Sequence, residues 1–268
     1  MDYNQLVREL KSTDGKIYSI GKSLLGREIF CIERGSGGAS VIIHGAIHAR
    51  EHLTADVVMY LAHSAVPDGV KHFFIPMVNP DGVEIALHQT IGLPDKYKLL
   101  VDSVTDDFFK YKANARCVDL NVNFDAKWGQ GASNVRRPST AGYIGEHPFS
   151  EPESVALRDF TVRVKPRLTI SYHLAGEEIY WGFENKFPYR EQTERFARST
   201  GYVLKSSAGS TGGYKDWYVK NFDGIGMTFE VGRNLGYPYP DTELDLITEK
   251  NKNVLNVIAD VLSELKWI

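Results

Sequence analysis

Four short runs constrain this chain most: Ala39 to His44, Phe73 to Val78, Leu168 to His173 and Ile225 to Val231. Each is largely apolar and of strand length, and stretches with helical character lie among them. Strands apolar on both faces have to be covered on both faces, so the alternation predicts an α/β fold with a mostly parallel, twisted sheet between helices. In such sheets ligands collect beyond the carboxyl ends of the strands. That rule singles out His44 to Glu51, Asn79 to Gly82, His173 and Glu230, because each sits where a strand stops.

The remaining elements follow from local signals. Met1 to Leu10 reads as a helix, and Lys16 to Ile20 and Arg27 to Arg34 as strands, with Gly35 to Gly38 as a hairpin loop. Leu53, Val57, Tyr60 and Leu61 share a face of a helix over Leu53 to Ala62. Pro76 weakens Phe73 to Val78 as a central strand, and Asn79-Pro80-Asp81-Gly82 has the composition of a turn. Ser150-Glu151-Pro152-Glu153 reads as a capping box opening a helix to about Val164, and a last helix runs from about Leu244 to Leu265. No repeat, charge block or low-complexity linker divides the chain, which predicts a single domain over residues 1–268.

Composition removes several function classes. With 43% apolar and 24% charged residues, the 268-residue chain is neither disordered nor collagenous. A net charge of -3 leaves no basic surplus for phosphates, so nucleic acid is not an expected partner. Cys31 and Cys117 fit no CxxC or CxH spacing and read as reduced core thiols. No apolar run reaches 18 residues, and the first thirty carry Asp2, Arg8, Glu9, Lys11, Asp14 and Lys16 with no apolar core. The expectation is therefore no membrane partner and a cytoplasmic setting.

His44-Gly45-Ala46-Ile47-His48-Ala49-Arg50-Glu51-His52 is the most informative stretch, and it supports two metal sites. In one, His48 and Glu51 form an HxxE pair at a strand-to-helix turn, with a histidine from another strand end as third ligand and an open position for water. In the other, His48 and His52 bind the metal from one helix and Glu51 acts as base. Gly45 and the β-rich run before it place the helix start near Glu51, which favours the first. Ser171-Tyr172-His173 then offers the third ligand.

With these motifs together, the chain resembles the zinc carboxypeptidases, the funnelin metallocarboxypeptidases. The resemblance runs from Ile20-Gly21-Lys22-Ser23 to about Pro240. It includes His48-x-x-Glu51, Asn79-Pro80-Asp81-Gly82, Asn114-Ala115-Arg116 with Asp119-Leu120-Asn121, Pro148 to Glu153, Ser171-Tyr172-His173 and Phe229-Glu230. It implies one α/β domain with a mixed sheet of about eight strands, and one zinc per chain held by His48, Glu51 and His173. Glu230 matches the general base that deprotonates the attacking water and passes the proton to the leaving amine. Arg116 matches the arginine that stabilises the oxyanion, Asn121 a residue holding the terminal carboxylate, and Arg50 a subsite arginine.

The chain also departs from the family pattern. The Asn-Arg pair that clamps a C-terminal carboxylate is Asn121-Val122 here, and valine cannot replace a guanidinium. The family's mobile tyrosine falls at Ala208, leaving Tyr214 as a substitute hydroxyl or a packing residue. Two weaker readings follow: an ordinary C-terminal carboxypeptidase, and a catalytically impaired zinc- or peptide-binding module. Retention of the three ligand types, Glu230 and Arg116 favours the enzyme.

His173 to Gly182 and Thr211 to Trp217 are most similar to the bacterial branch that cleaves γ-D-glutamyl-diamino acid bonds in cell-wall peptides, so a muropeptide is the expected partner. In that comparison Lys215, two residues before Trp217, lines the floor of the side-chain pocket, where it would meet the distal carboxylate of meso-diaminopimelate. If Lys215 points to solvent, specificity passes to Arg50, Arg136, Arg137 or the loops.

Overall fold

The computed structural model describes residues 1–266 except 208 and 210. Eight strands form one mixed sheet: β1 (Lys16–Lys22), β2 (Glu28–Arg34), β3 (Ala39–His44), β4 (Val70–Ile75), β5 (Leu168–Leu174), β6 (Glu178–Trp181), β7 (Val203–Ser206) and β8 (Ile225–Val231). Their order is β1-β2-β4-β3-β5-β8-β6-β7. The four central strands β4, β3, β5 and β8 are parallel, with antiparallel partners β2 and β6 on either side. The expected mostly parallel α/β sheet is therefore observed.

Alternation along the strands builds a core on each face. Val41 and Ile43 of β3 enter one cluster, packed by the helices α1 (Tyr3–Leu10), α2 (Leu53–His63), α6 (Arg190–Thr200), α8 (Leu244–Asn251) and α9 (Val254–Glu264). Ile42, between them, enters the other, packed by α5 (Pro152–Val164) and α7 (Tyr214–Asn221). A smaller cluster joins α3 (Pro80–His88) and α4 (Asp95–Asp102) to Tyr111, Ala113, Ala115 and Cys117. Cys31 and Cys117 are both free and buried, as expected.

Several local expectations are corrected. Gly35 to Gly38 is not a hairpin loop, because β4 lies between β2 and β3 and the chain crosses its end. At Gly37, φ is +143° and a Cβ would sit 1.9 Å from the Gly69 carbonyl oxygen, so this crossing admits only glycine. β4 ends at Ile75, which leaves Pro76 outside the ladder and lets the strand take a central place.

Asn79 and Pro80 open α3 rather than a free turn: Asn79 Oδ1 accepts from Gly82 N at 3.0 Å and Pro80 occupies the first turn. The box at Ser150 does not form, since Ser150 Oγ donates to Glu151 and α5 starts without a side-chain cap. The last helix is two helices, broken at Lys252 and Asn253. There the buried Asn251 side chain bonds Tyr172, Tyr202 and Ile247.

Candidate metal centre and active site

The turn after β3 is fixed by close backbone approach. A Cβ at Gly45 would lie 2.6 Å from Thr54 O, so glycine lets the strand end abut α2. Thr54 Oγ1 accepts from Ala46 N and donates to Glu51 O, both at 2.7 Å, tying the two ends of the turn together. His48 is extended, Ala49–Glu51 form a single 3-10 turn, and α2 begins only at Leu53. His48 and His52 are therefore not ligands one turn apart on a helix, as the alternative zincin arrangement requires. The buried Nδ1 of His52 has no partner among the described residues, and His52 is not in the metal cluster.

His173 arrives from β5, where it is register-paired with Glu230 of β8, so these side chains project from neighbouring positions of one face. His48, Glu51 and His173 converge and are all buried. His48 Nδ1 is 3.0 Å from Glu51 Oε1, His173 Nδ1 is 3.1 Å from Glu51 Oε2, and the two Nδ1 atoms are 3.2 Å apart. Two ring nitrogens at such separation, facing one carboxylate, fit a shared cation. A tetrahedral zinc with bonds of ~2.0–2.1 Å to nitrogen and oxygen would space its ligands about 3.3 Å apart.

The surrounding charges suit that use. Burial disfavours the charged form of His48, but Glu51 and Asp119 outweigh it and push the imidazole up to about 9. Burial would raise Glu51, yet His48 and Lys112 hold its carboxyl well below the usual range. Both groups are poised to gather positive charge. Glu230 shifts the other way: burial raises it and the Glu51 carboxylate adds to the rise, against His173, His48 and Lys112. A half-buried carboxylate with raised proton affinity beside the cluster has the character of a proton acceptor.

Asp119 was quoted within a motif but given no role by sequence reasoning. Its Oδ1 lies 3.2 Å from His48 Nε2, and the carboxylate also accepts from the backbone of Asn121 and Gly142. It thereby fixes the ring so that Nδ1 faces the metal position. Lys112 was missed altogether. Ala49 N and Arg50 N donate to Lys112 O and Tyr111 O, docking this segment along the HxxE turn. Lys112 Nζ comes within 3.7 Å of Glu51 Oε1. Tyr111-Lys112, just before Asn114-Ala115-Arg116, was the available signal.

Three expected residues are placed differently. Arg116 is 41% exposed in its side chain and lies 3.4 Å from Glu151, within a network in which Asn114 bridges Glu151 and Glu153. The cation seen in contact with a metal ligand is Lys112, whose Nζ lies 3.7 Å from Glu51 Oε1. Tyr214 is fully buried, its hydroxyl bonded to Thr161 and its ring edge-on to His44, so it packs beneath the site and cannot substitute for a mobile hydroxyl.

Lys215 does not point to solvent, being 4% exposed, but its Nζ already donates to Gly182 O, Ser207 Oγ and Asp216. It is a charge-compensated strut rather than a free cation. Burial pulls its ammonium below the usual lysine range, with Asp216 opposing. Asn121 is half-buried beside Asp119, its Oδ1 accepting from Tyr214 N at 3.1 Å. Arg50 stacks on Tyr237 at 3.8 Å, Arg136 lies over Trp128, and Ala208 is outside the described residues.

Comparison with known proteins agrees with this geometry. The family model "Zinc carboxypeptidase" matches residues 2–254. The chain is 32% identical to gamma-D-glutamyl-L-diamino acid endopeptidase 1 of Lysinibacillus sphaericus, over 93% of this chain and 69% of that protein. It is 28% identical to murein peptide amidase A of Escherichia coli over 57% of each. Bovine thrombin-activatable fibrinolysis inhibitor shares the fold, with a TM-score of 0.77 at 19% identity, covering 100% of this chain and 98% of that one. Murein-tripeptide amidase from Escherichia coli O157 does so with a TM-score of 0.61 at 23% identity, covering 92% and 94%. With the family match spanning nearly the whole chain, and with a buried His-Glu-His triad able to bind a metal, the chain belongs to the zinc carboxypeptidase family and is a metallopeptidase.

Proposed function

We propose that this peptidase hydrolyses the γ-D-glutamyl–meso-diaminopimelate bond, or a close relative, in cell-wall peptides, using one zinc per chain held by His48, Glu51 and His173. The similarity to gamma-D-glutamyl-L-diamino acid endopeptidase 1 over 93% of the chain carries the reading. Val122 supports it, because a C-terminal carboxylate finds no guanidinium beside Asn121.

Zinc, when bound there, supplies a Lewis acid that activates water and polarises the scissile carbonyl. The chain's own groups supply the rest. Glu230 takes the proton from the attacking water and returns it to the leaving amine, a transfer that its raised proton affinity favours. Lys112 stands in for Arg116, stabilising negative charge on the carbonyl oxygen from its place beside Glu51. Asp119 holds the His48 ring, and Asn121 offers its side-chain amide to the leaving side.

Incubation of zinc-loaded protein with γ-D-Glu-meso-diaminopimelate peptides, beside simple C-terminal peptides, tests this by mass spectrometry. Cleavage at the γ-glutamyl bond and little release from the simple peptides is expected. Tight binding without cleavage would instead identify a binding module.

A further inference from the structure

All three N–H donors of Lys215 are taken, one of them by Ser207, but Lys205, two residues before that serine, keeps donors to spare. β6 is paired with β8 so that Glu178 lies opposite Glu230 and Tyr180 opposite Thr228, and with β7 so that Tyr180 lies opposite Lys205. Alternation puts all of these side chains on one face, the face that also carries His173. A polar row therefore runs from the metal centre, past the proton acceptor Glu230, to the edge of the sheet at β7.

This row lies on the leaving side. Asn121 Oδ1 accepts from Tyr214 N at the start of α7, and α7 packs on β8, where a Cβ at Gly226 would meet Tyr218 and Val219 at 2.9 Å. Lys215 of the same helix reaches Gly182, one residue past β6. Asn121, α7, β8 and β6 thus border the same side of Glu230.

The row ends in a network of three groups. Lys205 Nζ donates to Glu178 Oε1, and the Tyr180 hydroxyl donates to Glu178 Oε2 at 2.6 Å. Burial would raise the Glu178 carboxyl, but Lys205 and Tyr180 outweigh it and hold it below the usual range. Glu178, then burial and Glu230, push the Tyr180 hydroxyl up to about 12, so it remains a donor. The Lys205 side chain is 46% exposed and has no other partner among the described residues, which leaves it donors in hand. The Glu178 carboxylate, 22% exposed, keeps unused lone pairs on both oxygens. A pair this exposed contributes little to stability, so turning toward a ligand costs the fold little.

An ammonium and a carboxylate side by side, each with spare capacity, complement a group that carries both charges on one carbon. A meso-diaminopimelate residue joined to glutamate through its L-centre presents such a group, because its D-centre holds an ammonium and a carboxylate at the end of a three-methylene stem. Neighbouring strands lie about 4.7–4.9 Å apart. The stem crosses about one such spacing, enough to carry the D-centre from beside Glu230 to Glu178 and Lys205. We propose that Glu178 and Lys205 read the zwitterionic far end of the diamino acid, Lys205 taking its carboxylate and Glu178 its ammonium, with Tyr180 holding Glu178 in place. The inference rests on the γ-glutamyl reading above.

Three peptides test it: L-Ala-γ-D-Glu followed by meso-diaminopimelate, by L-lysine or by L-norleucine, which carry both far-end charges, the ammonium alone and neither. Wild type should favour the first over the second, and the second over the third, by about tenfold each in kcat/KM. That is the lower end of what a charged hydrogen bond contributes, because both protein groups stay partly hydrated. Lys205→Met should bring the first ratio near one and leave the second, and Lys205→Arg should keep most of the first. Glu178→Gln should bring the second ratio near one. Zinc content, melting temperature and kcat/KM for the norleucine peptide should be unchanged in all three variants. Equal kcat/KM for the diaminopimelate and lysine peptides in wild type, or a preference that survives Lys205→Met, would overturn the assignment while leaving the proposed reaction standing. A preference for lysine over norleucine that survives Glu178→Gln would overturn the ammonium half of it. A wild type that cleaves none of the three contradicts the proposed reaction and this reading together.

Discussion

Lys112 Nζ lies 3.7 Å from Glu51 Oε1, while Arg116, four residues on, pairs with Glu151 at 3.4 Å. The difference separates two cations as candidates for stabilising the oxyanion. Lys112→Ala should lower kcat by about 10²–10³, as expected for a lost oxyanion donor. Arg116→Ala should change kcat by only a few-fold. Steady-state kinetics on both variants decides between them, and the reverse order would restore Arg116 to the reaction.

Metal retention divides the histidines. His48→Ala, Glu51→Ala and His173→Ala should each lose zinc by elemental analysis, and His52→Ala should keep it, because His52 is not among the residues that converge on the metal position. A protein that needs His52 but not His173 would mean that the metal is bound from the helix.

Asp119→Asn keeps the shape of the side chain but weakens its grip on His48 Nε2. Zinc affinity should fall about 10- to 100-fold, the usual effect of losing such a partner. Competition with a chelator measures this, and unchanged affinity would show that the carboxylate only holds the backbone of Asn121 and Gly142.

Stability should decline on acidification for reasons away from the metal. Burial pushes His72 down to about 4, with the Val70 carbonyl opposing and Arg34 assisting. Its folded pKa lies below the unfolded value near 6.5, so the unfolded chain binds more protons between pH 6.5 and about 4. The stabilising contribution is whole above that window and is lost as pH falls through it, by about 1.4 kcal/mol per pH unit for the one site. Urea unfolding at several pH values should show His72→Gln with a shallower dependence from pH 6 to 4.5. An identical slope would mean that the His72 ring takes up its proton in the folded state.

Much of this was legible in the sequence because it rests on local chemistry. Apolar runs such as Ala39–His44 mark central strands whatever their partners, and Gly45 announces that the helix after His48 starts late. What was not legible depends on contacts distant in sequence. The order of β2, β4 and β3 is set by pairing, so Gly35 to Gly38 looked like a hairpin. Lys112 acquires its place only by docking along the HxxE turn, and Lys215 loses its freedom only because Gly182, Ser207 and Asp216 meet it in the interior. Short β6 and β7 carry too few residues to stand out from their loops.

Glu230→Gln tests the proton relay and should cost about 10²–10⁴ in turnover with zinc retained. Loss of zinc in this variant would make Glu230 a ligand rather than a base.

The most direct measurement of the whole account is a zinc titration of metal-stripped protein, following bound metal and cleavage of L-Ala-γ-D-Glu-meso-diaminopimelate together. Cleavage should rise in proportion to bound zinc and reach its plateau at one equivalent per chain, with the γ-glutamyl bond broken. Full cleavage by the metal-free protein, or one bound equivalent with no cleavage, would contradict it.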